Sequence, residues 1–155
     1  MDHRISAIAL DEKSVVSRTP AIEQEREVAI SDLLEKNRFK PEGSATGPYR
    51  LALSVKENRL VFDIEREEGS RVGQILLSLS PFRGIVKDYF LVCDSYYRAI
   101  RTAPPSQIES LDMGRRAVHN EGTTLLLERL GSKVETDFET ARRLFTLICV
   151  LHLTV

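Results

Sequence analysis

A chain of 155 residues is the usual size of one domain and can bury about two-thirds of its unfolded-chain surface without disulfide or metal staples. With 42% apolar and 29% charged residues, the composition excludes disorder for the bulk of the chain. Its 22 lysines and arginines against 23 aspartates and glutamates argue against a general nucleic-acid binder, whose affinity rests on neutralised phosphates, but leave room for a local basic patch.

The first ten residues contain no long apolar run of the signal-peptide kind. The longest apolar segment, Leu147 to Leu153, is too short to span a bilayer and includes His152. A cytoplasmic protein that engages no membrane is the expectation. Cys93 and Cys149 have large apolar neighbours and read as small core residues.

In chain order, Arg4 to Leu10 alternates as a strand does. Thr19-Pro20 marks a helix start, and Ile22, Ala29, Ile30 and Leu33 recur at helical spacing up to Asn37. The stretch KPEGSATG, near 40–48, reads as a flexible loop. Tyr49, Leu51, Leu53 and Val55, then Leu60, Phe62 and Ile64, form two alternating runs around Lys56-Glu57-Asn58, a hairpin with one buried face. A third run, Val72 to Leu79, follows Glu68-Gly69-Ser70; its break at Ile75-Leu76-Leu77 suggests a bulge or burial on both faces.

The second half is helical. Ser80-Pro81 opens a helix to about Thr102, with Phe82, Ile85, Val86, Tyr89, Phe90, Cys93, Tyr96, Tyr97 and Ile100 on one broad face. Pro104-Pro105 ends it, and Ser106 starts another whose seam of Leu111, Val118 and Leu125 runs to Gly131. Gly114 and Gly122 near that seam suggest a close helix contact or a break. Thr136 with Glu139 makes a capping box for a last helix that is apolar almost all round from Leu144 to Leu153. Such a helix must be central or must cover a partner. The reading is a single α+β domain over 1–155, ordered β-α-β-β-β-α-α-α, with helices packed on a small, largely antiparallel sheet of three or four strands.

The strings GPYRLALS (47–54), NRLVFDI (58–64), PFRGIVKDYF (81–90), YYRAIRTA (96–103), DMGRRAVHNEG (112–122) and FETARRLFTLICVLH (138–152) resemble an uncharacterised alphaproteobacterial family of about this length. The likeness leaves out Met1 to Arg18 and the Lys40–Thr46 loop. It implies a bacterial cytosolic protein of single-domain size and carries over no activity, cofactor or catalytic residue.

Two groups of residues are candidate sites. Asp112, Arg115, Arg116 and His119 recur at three- and four-residue spacing along one helix flank, where two guanidinium groups and an imidazole could hold an anionic ligand. The plainer reading is that Asp112 pairs with Arg115 or Arg116 along the helix while His119 caps or is solvated. Arg83, Lys87, Arg98 and Arg101, interrupted by Asp94, could dock an acidic or phosphate-bearing partner; the plainer reading is the solvated side of an amphipathic helix.

His3, His119, His152, Cys93 and Cys149 contain no short ligand spacing, so neither a metal nor a cofactor is expected. The chain has no G-x-S-x-G elbow and no G-K-[ST] loop. The leading expectation is therefore a non-catalytic binding or adaptor domain engaging a protein partner or itself, motivated by the apolar last helix. The second is a small enzyme or sensor of an anionic metabolite at the Asp112–His119 segment. RNA binding along the Arg83–Arg101 stripe ranks last.

Overall fold

The computed structural model describes residues 2–11, 13 and 20–151. Its order is β1 (Ile5–Leu10), α1 (Pro20–Glu35), β2 (Phe39–Pro41), β3 (Tyr49–Lys56), β4 (Arg59–Arg66), β5 (Arg71–Ser78), α2 (Arg83–Thr102), α3 (Pro105–Leu130), β6 (Val134–Thr136) and α4 (Phe138–Leu151). The class is α+β, with a four-stranded sheet in the order β1-β3-β4-β5 and a separate pair of β2 with β6. Thr19, the expected cap of α1, lies outside the described residues.

The hairpin forms as its alternation requires. Leu51 faces Ile64, Leu53 faces Phe62 and Val55 faces Leu60 across β3 and β4. Glu57 and Asn58 take the positive φ values, 51° and 60°, that a two-residue turn between twisted strands demands. On the opposite face several cross-strand neighbours are charged or polar: Arg50 pairs with Glu65 at 2.7 Å, and Gln74 donates to Asp63 at 2.8 Å. One face is thus core and the other is largely polar, although Ser54 and Val61 on it are also buried.

The four-stranded sheet is largely antiparallel, as expected, with β1 running parallel to β3. Three features of the sheet and its connections differ from the sequence expectation. The irregularity in β5 lies near Val72, opposite the Ile64/Glu65 step. At Ile75-Leu76-Leu77 the alternation holds, with Ile75 and Leu77 buried and Leu76 exposed. The stretch read as a loop begins with a strand, β2, which pairs antiparallel with β6 some 95 residues later in the chain. Finally, Asp137 rather than Thr136 caps α4: its carboxylate accepts from the Thr140 backbone N–H at 3.2 Å, while the Thr136 hydroxyl donates to the Arg38 carbonyl at 2.6 Å.

α4 is central. Leu144 through Leu151 are all buried, because α1 and α3 pack along it and β3 lies beneath. α2 packs chiefly on α3, extending the helical layer. The apolar circumference of the last helix is therefore satisfied within its own chain, and the ground for expecting it to cover a partner is gone. Only the first turns of α4 carry polar side chains to the rim, through Glu139, Arg142 and Arg143.

Gly122 of α3 is the close contact that the glycine suggested. A Cβ placed there would sit 2.2 Å from Cζ of Phe145, a ring that is itself fully buried. Gly122→Ala should gain about 1 kcal/mol of helix propensity but lose about 1–3 kcal/mol to overpacking. A net loss in urea denaturation, reduced when Phe145→Leu is added, is the expected outcome.

The arginine cleft between three helices

α3 brings Arg115 and His119, one turn apart, to the side where α1 and α4 meet. Arg115 is held from two directions. Its Nη2 and Nε donate to Asp112 Oδ1 at 2.7 and 3.2 Å, and its Nη1 reaches Glu25 Oε1 of α1 at 3.1 Å. Tyr97 of α2 donates to the same Glu25 oxygen at 3.1 Å, and the guanidinium lies 4.4 Å from the centre of the Tyr96 ring. This network ties α1, α2 and α3 together. Burial alone would weaken the Arg115 charge, but the Asp112 hydrogen bonds and the two carboxylate charges outweigh it and raise its pKa. In return, hydrogen bonding from Arg115 holds the Asp112 carboxyl below its ordinary value.

His119 faces α4. Its Nε2 lies 2.7 Å from the Thr146 hydroxyl and 3.2 Å from the Arg142 carbonyl, and its ring packs on Tyr89 and Phe145 at centroid distances of 5.4 and 5.8 Å. Burial, reinforced by the nearby Arg142 charge, pushes its pKa down to about 4. The imidazole is therefore neutral near pH 7, not poised there as an acid or base. Because the folded pKa lies below the ordinary 6.5, this residue's contribution is complete above pH 6.5 and is lost as pH falls from 6.5 towards 4. The loss should reach up to about 3 kcal/mol and be absent in His119→Gln, as urea denaturation across that range would show.

A cleft of about 180 Å³ opens beside these groups, bounded by α1, α3 and α4. Glu25, Asp32, Arg115, His119, Arg142 and Arg143 are among its lining residues. Arg142 and Arg143 are only loosely engaged, lying 4.0 and 3.8 Å from Glu139. The Arg142 Nε–H is buried and has no acceptor among the described residues. Arg115 is thus held by three hydrogen bonds to two carboxylates, while Arg142 has an open donor.

The model of the family described as "Uncharacterised protein family (UPF0262)" matches residues 2–154. The chain belongs to the UPF0262 family. A UPF0262 protein of Nitrobacter winogradskyi is 61% identical over 150 residues, covering 97% of this chain and 90% of the relative. One from Rhodopseudomonas palustris strain BisA53 is 62% identical over 148 residues, covering 96% and 91%, and one from Nitrobacter hamburgensis is 60% identical over 150, covering 97% and 92%. No solved structure matches.

Of the four residues singled out on α3 of this UPF0262 chain, only Arg115 and His119 reach the cleft. Asp112 sits behind Arg115 as its partner, and Arg116, two-thirds exposed, pairs outward with Asp112 at 2.8 Å. The α2 residues do not converge. Arg83 donates to Asn58 at the hairpin turn, Arg98 pairs with Asp94 at 3.1 Å, and Lys87 and Arg101 are exposed. Eighteen residues of helix put Arg83 about 27 Å from Arg101, at 1.5 Å per residue.

Glu25, Arg142, Arg143 and Thr146 went unnoticed in the sequence. The one available signal was the Arg142-Arg143 pair interrupting an otherwise apolar helix. Among the described residues no cluster of three metal-ligating side chains occurs, and no helix is long and apolar enough to cross a membrane; His152 lies outside them. Burial, together with the Glu25 charge, raises the Cys93 thiol to about 12, and burial likewise raises Cys149, so both stay protonated.

Proposed function

We propose that this chain is a small-molecule binding domain that recognises a compact anionic metabolite in the α1–α3–α4 cleft. The observation that carries the reading is the buried Arg142 Nε–H without an acceptor, beside the loosely paired Arg143. A buried donor left unmet costs about 1–3 kcal/mol, and a carboxylate or phosphate oxygen would satisfy it with a charge-assisted bond. Arg115 and His119 act as the fixed wall: one is anchored by carboxylates, the other is a neutral hydrogen-bonding ring. Binding is what this arrangement supports, since neither thiol is a nucleophile and His119 is not charged at neutral pH.

The test is thermal melting against small carboxylates and inorganic phosphate. A ligand at about a hundred times its dissociation constant adds roughly 2.7 kcal/mol, a rise of several degrees at this size. The rise should vanish in Arg142→Gln/Arg143→Gln and persist in Arg98→Gln/Arg101→Gln. A rise that survives the first pair and disappears with the second would move recognition to the α2 stripe and overturn the reading.

A further inference from the structure

The cleft carries unmet charge of both signs. Besides the Arg142 Nε–H, it is lined by Asp32 of α1, whose carboxylate makes no hydrogen bond or ion pair among the described residues. Asp32 and Arg142 border one cleft and do not pair with each other. A dianion there would meet Arg142 and Arg143 but would also stand beside Asp32, Glu25 and Glu139, whose negative charges oppose it. A ligand with one positive and one negative end meets no such conflict.

Resting on the anion-binding reading above, we propose that the ligand is a small zwitterion, an amino acid with a short side chain or none. Its carboxylate engages Arg142 and Arg143, and its ammonium engages Asp32. Size agrees with charge. A cleft of about 180 Å³ suits a ligand of a handful of non-hydrogen atoms better than a nucleotide or sugar phosphate. The Arg115–Glu25 pair, 3.1 Å apart, forms one wall of the cleft.

Isothermal titration of the full chain with glycine, L-alanine, β-alanine and the other common amino acids, set against acetate and propionate, tests this. The expected result is that a small amino acid binds at least about tenfold more tightly than the carboxylate lacking its ammonium group. Asp32→Asn should abolish that ratio, weakening the amino acid while propionate, with one opposing charge removed, binds at least as tightly as before. Equal affinity of wild type for alanine and propionate would overturn the zwitterion and leave the anion site standing. No saturable binding of any amino acid or carboxylate at millimolar concentration would overturn both. The wild-type comparison decides the matter even if Asp32→Asn fails to fold, which circular dichroism would show.

Discussion

Phe145→Ala should lower the unfolding free energy by about 3–5 kcal/mol, the range for deleting a fully buried aromatic ring. The ring has no solvent exposure, stacks edge-on to Tyr89 at a centroid distance of 5.9 Å, and fills the space left by Gly122. Its loss opens a cavity at the junction of α2, α3 and α4 that neighbouring rings cannot close without leaving their rotamers. Urea denaturation measures the effect. Because Phe145 also shields His119, the variant should lose part of the stability change between pH 6.5 and 4 that marks the wild type. A cost below about 1 kcal/mol would mean that α4 is not the centre of the core.

The second large effect is expected at Arg115. Arg115→Met keeps much of the aliphatic stem but leaves Glu25 and Asp112, with side chains only 12% and 19% exposed, without their guanidinium. Removing one member of a fully buried pair costs about 3–5 kcal/mol; partial solvent access here brings the expected loss to about 2–3 kcal/mol. Adding Glu25→Gln should return part of that loss, since the second change removes the stranded charge. Additive losses in this double-mutant cycle would contradict the network that joins α1 to α3.

What the sequence disclosed and what it hid divide by range along the chain. The β3–β4 hairpin and α2 were legible because one element's own periodicity names its buried face, and the pairing needs only a local turn. Gly122 was legible as a contact but not as the seat of Phe145, which lies 23 residues away. β2 and β6 are three residues each, too short for alternation to register, and they find each other across the long middle of the chain, from Pro41 to Val134. The parallel seating of β1 on β3 depends on how α1 returns the chain, which no strand pattern records.

The site divides the same way. The Asp112 pairs with Arg115 and Arg116 are three and four residues apart and follow from helix geometry alone. Glu25 meets Arg115 across 90 residues, and Thr146 meets His119 across 27, so both are consequences of tertiary packing. The apolar last helix illustrates the ambiguity most clearly. Its composition demanded burial but could not say by what, and three elements of the same chain supply it.

The claim that the α1–α4 rim of this cleft is a binding site is tested most directly at one proton, the Arg142 Nε–H. In a nitrogen–proton NMR titration with small carboxylates and amino acids, that resonance should move saturably as it gains an acceptor. The Nε–H of Arg4, already paired with Asp2 at the surface, should stay in place. Movement confined to Arg142 and its cleft neighbours is the predicted result. An Arg142 resonance that stays fixed throughout, or shifts no more than that of Arg4, would contradict the account.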